Sequence, residues 1–303
     1  MARLVKAWHA GLRTIFERLK GRDAQPVWSE TVSERKVPHE VDILSLPLED
    51  ALKRGSECPL CWLLEREENR FLESFYSGWI MDPWCREDII RSHGFCNYHS
   101  HRLLWFAEVN LERLGLALVL ESLVISEKAT FEGLGEGILQ EVAAPSKSAS
   151  KHTDSISPFL RSLYENMCKS YSECPACKSL DESDIAHIDT FIQMMLESPD
   201  FRKRFEESHG LCTPHFSKTV QIASERLRQQ DLKKLILFLW KIQIRNLKRL
   251  ESELSKFIRK YDYRFSEEPF GSEIDIVERT IRKLSGVSAY NPIALKRVSM
   301  LYG

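Results

Sequence analysis

The sequence predicts an all-α protein made of two similar halves, and three observations lead to this prediction. Apolar residues recur at steps of three and four positions over long stretches, whereas strand signals are scarce. Two short motifs each occur twice, 116 residues apart. They read SECPLC at 56–61 and SECPAC at 172–177, then SHGFCNYH at 92–99 and SHGLCTPH at 208–215. A constant offset indicates an internal duplication.

The duplicated segments keep their length while most of their residues differ. An ungapped comparison of 56–99 with 172–215 gives 14 identities in 44 positions, and the identities concentrate at the two ends. This pattern is typical of a helical spacer that holds two short motifs at a fixed separation.

Composition excludes several classes of protein. A formal net charge of −1 with 29% charged residues shows no global bias toward polyanions. Apolar runs fall short of the roughly 18 residues that a membrane span needs, and residues 1–25 lack a secretory signal pattern. Eight cysteines are too few for a disulfide scaffold of this length. We therefore expect a cytoplasmic protein with reduced thiols.

The chain begins with a region, 1–41, that is expected to form a basic amphipathic helix followed by a loose polar segment. Residues 1–20 carry five Lys or Arg and one Glu. Such a helix packs on its own core, binds a partner or a membrane surface, or is an organelle presequence. Its apolar residues at helical spacing are Leu4, Trp8, Leu12, Ile15, Phe16 and Leu19.

Two metal-binding helical repeats are predicted at 42–140 and 158–262. A linker at 141–157, rich in Ser, Ala and Lys, separates them. The longest helical periodicity runs from about 214 to 261, and a final helix near 272–285 belongs to a C-terminal region at 263–303.

Each half contains C-x2-C, then 34 residues, then C-x2-H. Two intervening residues allow both ligands of a pair to point at one ion, so two pairs complete a tetrahedron. The chemistry predicts two Zn²⁺ per chain, with an iron–sulfur cluster as the alternative. The preserved spacer favours closure within each half over ligation between halves. The predicted ligands are Cys58, Cys61, Cys96 and His99, with Cys174, Cys177, Cys212 and His215.

Local signals suggest where the surrounding helices begin and end. Ser56 and Ser172 are predicted N-caps, with a proline in the first turn that follows each of them. Gly94 and Gly210 are expected to end the spacer helices. Both ligand pairs would then lie at helix N-termini, where the helix dipole favours thiolate.

Two histidines recur beside the ligands without being needed to complete either set. His93 and His209 are interpreted as helix caps, or as groups that orient a ligand or replace one. Cys85 and Cys168 fall outside the duplicated pattern, and we interpret them as packing thiols.

Sequence motifs of known enzymes are absent: the chain has no P-loop, GxGxxG, HExxH or GxSxG. Residues 226–260 carry eleven Lys or Arg against three Asp or Glu, so a nucleic-acid-binding helix is one hypothesis. Catalytic residues cannot be named from the sequence.

The duplicated CPxC…HGxCxxH arrangement resembles an uncharacterised family of prokaryotic proteins with the same signature. The resemblance covers about 45–262 and implies helical character and metal binding at the eight ligand positions. Our leading hypothesis is a zinc-binding scaffold for a macromolecular partner, most simply a protein. The alternatives are a redox or metal-dependent enzyme that uses its clusters or thiolates, and a nucleic-acid-binding regulator.

Overall fold

A computed structural model of the chain describes residues 45–143, 164–165, 168, 172–265 and 267–287. These residues form α-helices and no strand, which confirms the all-α prediction. The helices are α1 (Leu46–Lys53), α2 (Pro59–Ser77), α3 (Pro83–Arg91), α4 (Asn97–Val109), α5 (Arg113–Ala143), α6 (Pro175–Glu197), α7 (Pro199–Glu207), α8 (Thr213–Arg226), α9 (Gln229–Arg259) and α10 (Ile276–Ser285). A 3₁₀ turn at Trp79–Met81 joins α2 to α3.

The duplication extends well beyond the two sequence motifs. Helices α2 to α5 each begin 116 residues before their counterparts α6 to α9, and the longest pair, α5 and α9, have 31 residues each. We call 59–143 repeat 1 and 175–259 repeat 2. The helical stretch predicted over 214–261 is divided in the structure, because Leu227 and Arg228 adopt extended backbone between α8 and α9.

Local capping explains where the shorter helices begin. The Asp82 side chain accepts a hydrogen bond from the backbone N–H of Trp84 at the start of α3. Ser198 plays the same part for α7 by accepting from the N–H of Phe201. In both helices a proline occupies the first turn, where its missing N–H costs nothing.

Helices α2 and α6 pack against each other at the centre of the molecule, and each contributes to both hydrophobic cores. The core of repeat 2 also contains Leu60 and Leu63 from the first turns of α2. The core of repeat 1 likewise contains Cys174 and Ala176 from the start of α6. Each repeat therefore inserts its CPxC turn into the core of the other.

Helix α10 packs against α8 and α9 of repeat 2 and agrees with the helix predicted near 272–285. The predicted N-terminal helix at 1–20 lies outside the described residues, as do residues 144–157 of the predicted linker. Among the described helices, none combines the length and the apolar character needed to cross a bilayer.

Because both cores mix helices from the two repeats, we expect the described part of the chain to unfold in one transition. Phe75 in the core of repeat 1 is 1% exposed. Phe75→Ala should lower the free energy of unfolding by about 3–5 kcal/mol and shift that single transition in urea, followed by circular dichroism. Met81→Ala, at a side chain 69% exposed, is the control and should cost less than about 0.5 kcal/mol. Two separated transitions in Phe75→Ala would contradict this prediction.

Candidate metal centres

The eight predicted ligands come together in two clusters, and each cluster draws on both repeats. Site A consists of Cys58, Cys61, Cys212 and His215, and site B of Cys96, His99, Cys174 and Cys177. The closure within each half that the spacer length favoured is therefore wrong. The spacer instead carries each CxxH pair away from the CxxC pair of its own repeat. Each CxxC pair then joins the CxxH pair of the opposite repeat.

The two sites have nearly the same internal geometry. In site A the His215 Nδ1 atom lies 3.3 Å from the Cys61 Sγ and 3.0 Å from the Cys212 Sγ. In site B the matching distances from the His99 Nδ1 are 3.3 Å to Cys177 and 3.2 Å to Cys96. All four donor atoms of each site lie within 4.8 Å of one another. Three sulfurs and one imidazole nitrogen at these separations form a donor set that Zn²⁺ binds well.

Every ligand pair occupies the same two positions of a helix. The first ligand is the N-cap and the second lies three residues later, in the first turn. Cys58 is therefore the cap of α2, whereas Ser56, the predicted cap, donates its hydroxyl to the Cys58 carbonyl. Each site lies between two helix N-termini, whose positive dipole ends and free N–H groups stabilise thiolate.

A His-Gly dipeptide, His93-Gly94 or His209-Gly210, connects each spacer helix to its CxxH pair. Positive φ angles at this dipeptide turn the chain toward the ligands. In repeat 1 the N–H of Gly94 donates to Ile89 and that of His93 to Ile90, which is a Schellman ending for α3. His93 has a φ of 55° there and Gly94 a φ of 92°. In repeat 2 only Gly210, with a φ of 74°, has this torsion. Both glycines thus lie at positions that disfavour other residues.

Behind each ligand histidine lies a carboxylate that the sequence analysis missed. The Nε2 of His215 is 3.0 Å from Asp184, which also accepts from Lys218 at 2.7 Å. In site B, Glu68 lies 3.7 Å from the Nε2 of His99 and accepts from Arg102 at 3.1 Å. Such a carboxylate fixes the tautomer and orientation of a metal-binding imidazole.

A sequence signal for these groups existed, because Glu68 and Asp184 are 116 residues apart, as are Arg102 and Lys218. A count of identities does not register these conservative exchanges.

The carboxylate lies seven residues after the second cysteine of its helix, about two turns further along the same face. Each central helix therefore gives a thiol to one site and a carboxylate to the other, which requires α2 and α6 to run antiparallel. The two sites are roughly 10 Å apart along α2 by the rise of a helix.

Site A is the more enclosed of the two. All four of its ligands are buried, whereas Cys177 in site B is only partly buried. Helix α10 covers site A and places the fully buried Lys283 ammonium against the His209 carbonyl at 2.6 Å. Glu57, just before Cys58, binds Arg249 through both oxygens at 2.7 and 2.6 Å. The matching Glu173 of repeat 2 is exposed.

Electrostatics within each cluster favour a bound cation. Burial raises the pKa of the Cys58 thiol, but hydrogen bonds from Cys212 and Cys61 and the charge of His215 outweigh it, so the pKa falls well below its usual value. Burial lowers the pKa of His99, yet hydrogen bonds to Cys174 and Cys96 raise it to about 9. The pKa values of the Cys61 and Cys177 thiols rise in turn, because hydrogen bonds to the neighbouring cysteines favour their thiol form. Without metal, each cluster therefore keeps protons that a bound metal ion would displace.

The two extra histidines contact carboxylates instead of the ligand imidazoles. His93 pairs with Glu127 of α5, and His209 Nδ1 lies 3.7 Å from Glu57. Neither histidine belongs to a four-donor cluster. The backbone of His93 takes part in the Schellman ending of α3, whereas the roles of the two side chains as helix caps or orienting groups stay predictions. Cys85 is half-buried, and burial raises the pKa of its thiol, which disfavours the thiolate form of a nucleophile. Cys168 is also a half-buried free thiol.

The chain was compared with known protein families, curated proteins and solved structures. A family model described as a family of unknown function (DUF6062) matches residues 40–291. No curated protein and no solved structure is detectably similar to the chain.

Removing the carboxylate behind a ligand histidine should weaken zinc binding at that site alone. Asp184→Asn is expected to lower the affinity of site A by about 10–100-fold, measured by competition with a chromophoric chelator. Glu68→Gln should have a smaller effect on site B, because Glu68 is farther from its histidine. Glu67→Gln is the matched control, since that carboxylate faces Arg70 and His187. Equal affinities in Asp184→Asn and the unchanged protein would contradict an orienting role.

Proposed function

We propose that this chain, which belongs to the DUF6062 family of unknown function, is a helical scaffold in which two zinc ions join the two repeats. The observation that carries the proposal is that both ligand sets are divided between the repeats and lie among buried core residues. A metal ion at either site would therefore tie together helices that are distant in sequence.

The ligand spacing supports a single ion at each site over an iron–sulfur cluster. Zinc–sulfur bonds of about 2.3 Å place the sulfurs of one tetrahedron about 3.8 Å apart. The Cys61 and Cys212 sulfurs are 3.4 Å apart and those of Cys96 and Cys177 are 3.6 Å apart. A cluster distributes its ligands over several iron atoms, so some of its ligand atoms must be more widely separated.

A closed four-ligand set supports a structural role. Catalytic zinc sites generally keep one position for water or substrate, whereas structural sites fill all four positions with protein ligands. Site A, whose four ligands are buried, has the closed form. Zinc binding at such sites contributes on the order of 10 kcal/mol, which is comparable with the total stability of a domain. On this proposal the metal ions maintain the shape of a surface that a partner protein recognises.

The basic helix favours this proposal over nucleic-acid binding. In α9, Lys241 pairs with Glu206, and Arg249 pairs with Glu57 and Glu253. At the two ends of the basic stretch, Arg226 and Lys260 also form ion pairs. Cations that already neutralise carboxylates of the same chain are less available to phosphates.

Paired cysteine substitutions test the shared sites through metal stoichiometry. Purified protein should contain two zinc ions by elemental analysis. Cys58→Ser with Cys212→Ser removes two ligands of site A and should leave one zinc per chain. Cys58→Ser with Cys96→Ser damages both sites and should leave none. Sites closed within each repeat would give the opposite result for the two double variants, which would refute the shared-site arrangement. Cys85→Ser is the control for these cysteine substitutions and should retain both ions.

Two further readouts separate the scaffold from the alternatives. Anaerobically purified protein should show no visible absorption, because zinc is colourless, and broad visible absorption would favour an iron–sulfur enzyme. DNA or RNA binding that weakens steeply with salt would favour the regulator hypothesis.

A further inference from the structure

Helix α5 exposes an unusual amount of apolar surface. Leu114 is 75% exposed, Val124 is 66% and Ile125 is 63%, and Leu120 and Phe131 are about half exposed. Only one side of the helix packs on the core, through Leu116 and Val119 among others. A helix with apolar residues on all its sides is normally covered on all of them. A patch of this kind marks an interaction site.

The duplication provides an internal comparison for this surface. Helix α9 occupies the matching place in repeat 2. Leu120, Val124 and Phe131 have apolar counterparts there, whereas three other exposed positions of α5 have polar or basic counterparts. Leu114 corresponds to Gln230, Ile125 to Lys241 and Ala129 to Arg245, and all six positions are exposed. Of these, Lys241 pairs with Glu206 of α7, whose counterpart on α3 is Ile90. At Ile90 and Ile125, repeat 1 therefore has apolar residues where repeat 2 has an ion pair, so the apolar character of this part of α5 is not a consequence of the shared fold.

Acidic residues lie among the exposed apolar residues of α5. Residues 112–136 contain five Glu but only two basic residues, Arg113 and Lys128. Both basic residues already pair with glutamates, Arg113 with Glu108 and Lys128 with Glu132. An apolar surface with glutamates among its apolar residues fits a basic amphipathic helix.

We propose that residues 1–20 of the same chain dock on this face of α5. This segment lies outside the described residues, and its sequence has the complementary chemistry. Its six large apolar residues recur at helical spacing, and five Lys or Arg outnumber a single Glu. Docking would bury the apolar residues of both helices and place basic side chains beside the glutamates of α5.

The connecting chain permits this contact. Residues 21–44 join the segment to α1, and a chain of that length can extend to about 80 Å. A tether also gives the segment a high effective concentration at its own α5, which favours the intramolecular contact over a second copy. The inference concerns the surface of repeat 1 and does not depend on metal binding.

Photocrosslinking in the full chain tests the contact. Leu12 is replaced by p-benzoylphenylalanine, which reacts on illumination with neighbouring C–H bonds, and the products are mapped by mass spectrometry. The expected crosslinks are to peptides that contain residues 114–131. Ala10, on the opposite face of the predicted helix, is the matched control position and should give few of them. Illuminating a mixture of ¹⁴N- and ¹⁵N-labelled chains shows whether the contact lies within one chain.

Substitutions borrowed from repeat 2 test the specificity. Leu114→Gln with Ile125→Lys gives α5 the residues that α9 already carries at these exposed positions, and should reduce the crosslinks about tenfold or more. Leu237→Glu on α9 is the reciprocal control and should leave the yield unchanged. Retained helicity and zinc content confirm that the variants fold. Crosslinks to other regions, crosslinks between isotopically distinct chains, an absence of crosslinks, or a yield unaffected by the α5 substitutions would each overturn the proposal.

Discussion

Each cluster requires the first turns of two helices that belong to different repeats, and the rest of the fold depends on this requirement. An N-cap cysteine and a ligand three residues later converge only when two helix N-termini meet. The CPxC turn must therefore leave its own repeat and enter the core of the other. Leu60 and Leu63 of α2 accordingly pack among residues of repeat 2. The two sites and the two cores thus depend on the same interpenetration of the repeats.

Helices α2 and α6 connect the two sites through rigid secondary structure. Each begins at a cysteine of one site and, about three turns later, presents a carboxylate to the histidine of the other. Arg102 and Lys218 then hold those carboxylates in place. A shift of either central helix would disturb a thiol at one site and a carboxylate at the other. The geometry therefore makes independent rearrangement of the two sites costly.

The repeats diverged most where they face solvent. The ligand positions and the charged groups behind the histidines kept their chemistry, whereas the outer faces of α5 and α9 did not. The outer face of α9 carries basic residues that form ion pairs, and that of α5 carries exposed apolar residues with glutamates among them. Helix α10 packs on repeat 2 and bonds the His209 carbonyl near site A, whereas site B includes a partly buried cysteine. Duplication thus provided a symmetric interior on which two different surfaces developed.

The sequence alone determined the helical class, the duplication and the identity of all eight candidate ligands, because these depend on local periodicity and short spacings. Tertiary structure decided how the ligand pairs combine. A 34-residue spacer fixes the length of chain between two pairs but not the direction in which it folds, so closure within a repeat and exchange between repeats look alike in sequence. Glu68 and Asp184 were missed for a related reason. A carboxylate on a charged helix becomes a histidine partner only when the antiparallel packing of α2 and α6 brings it to the opposite site.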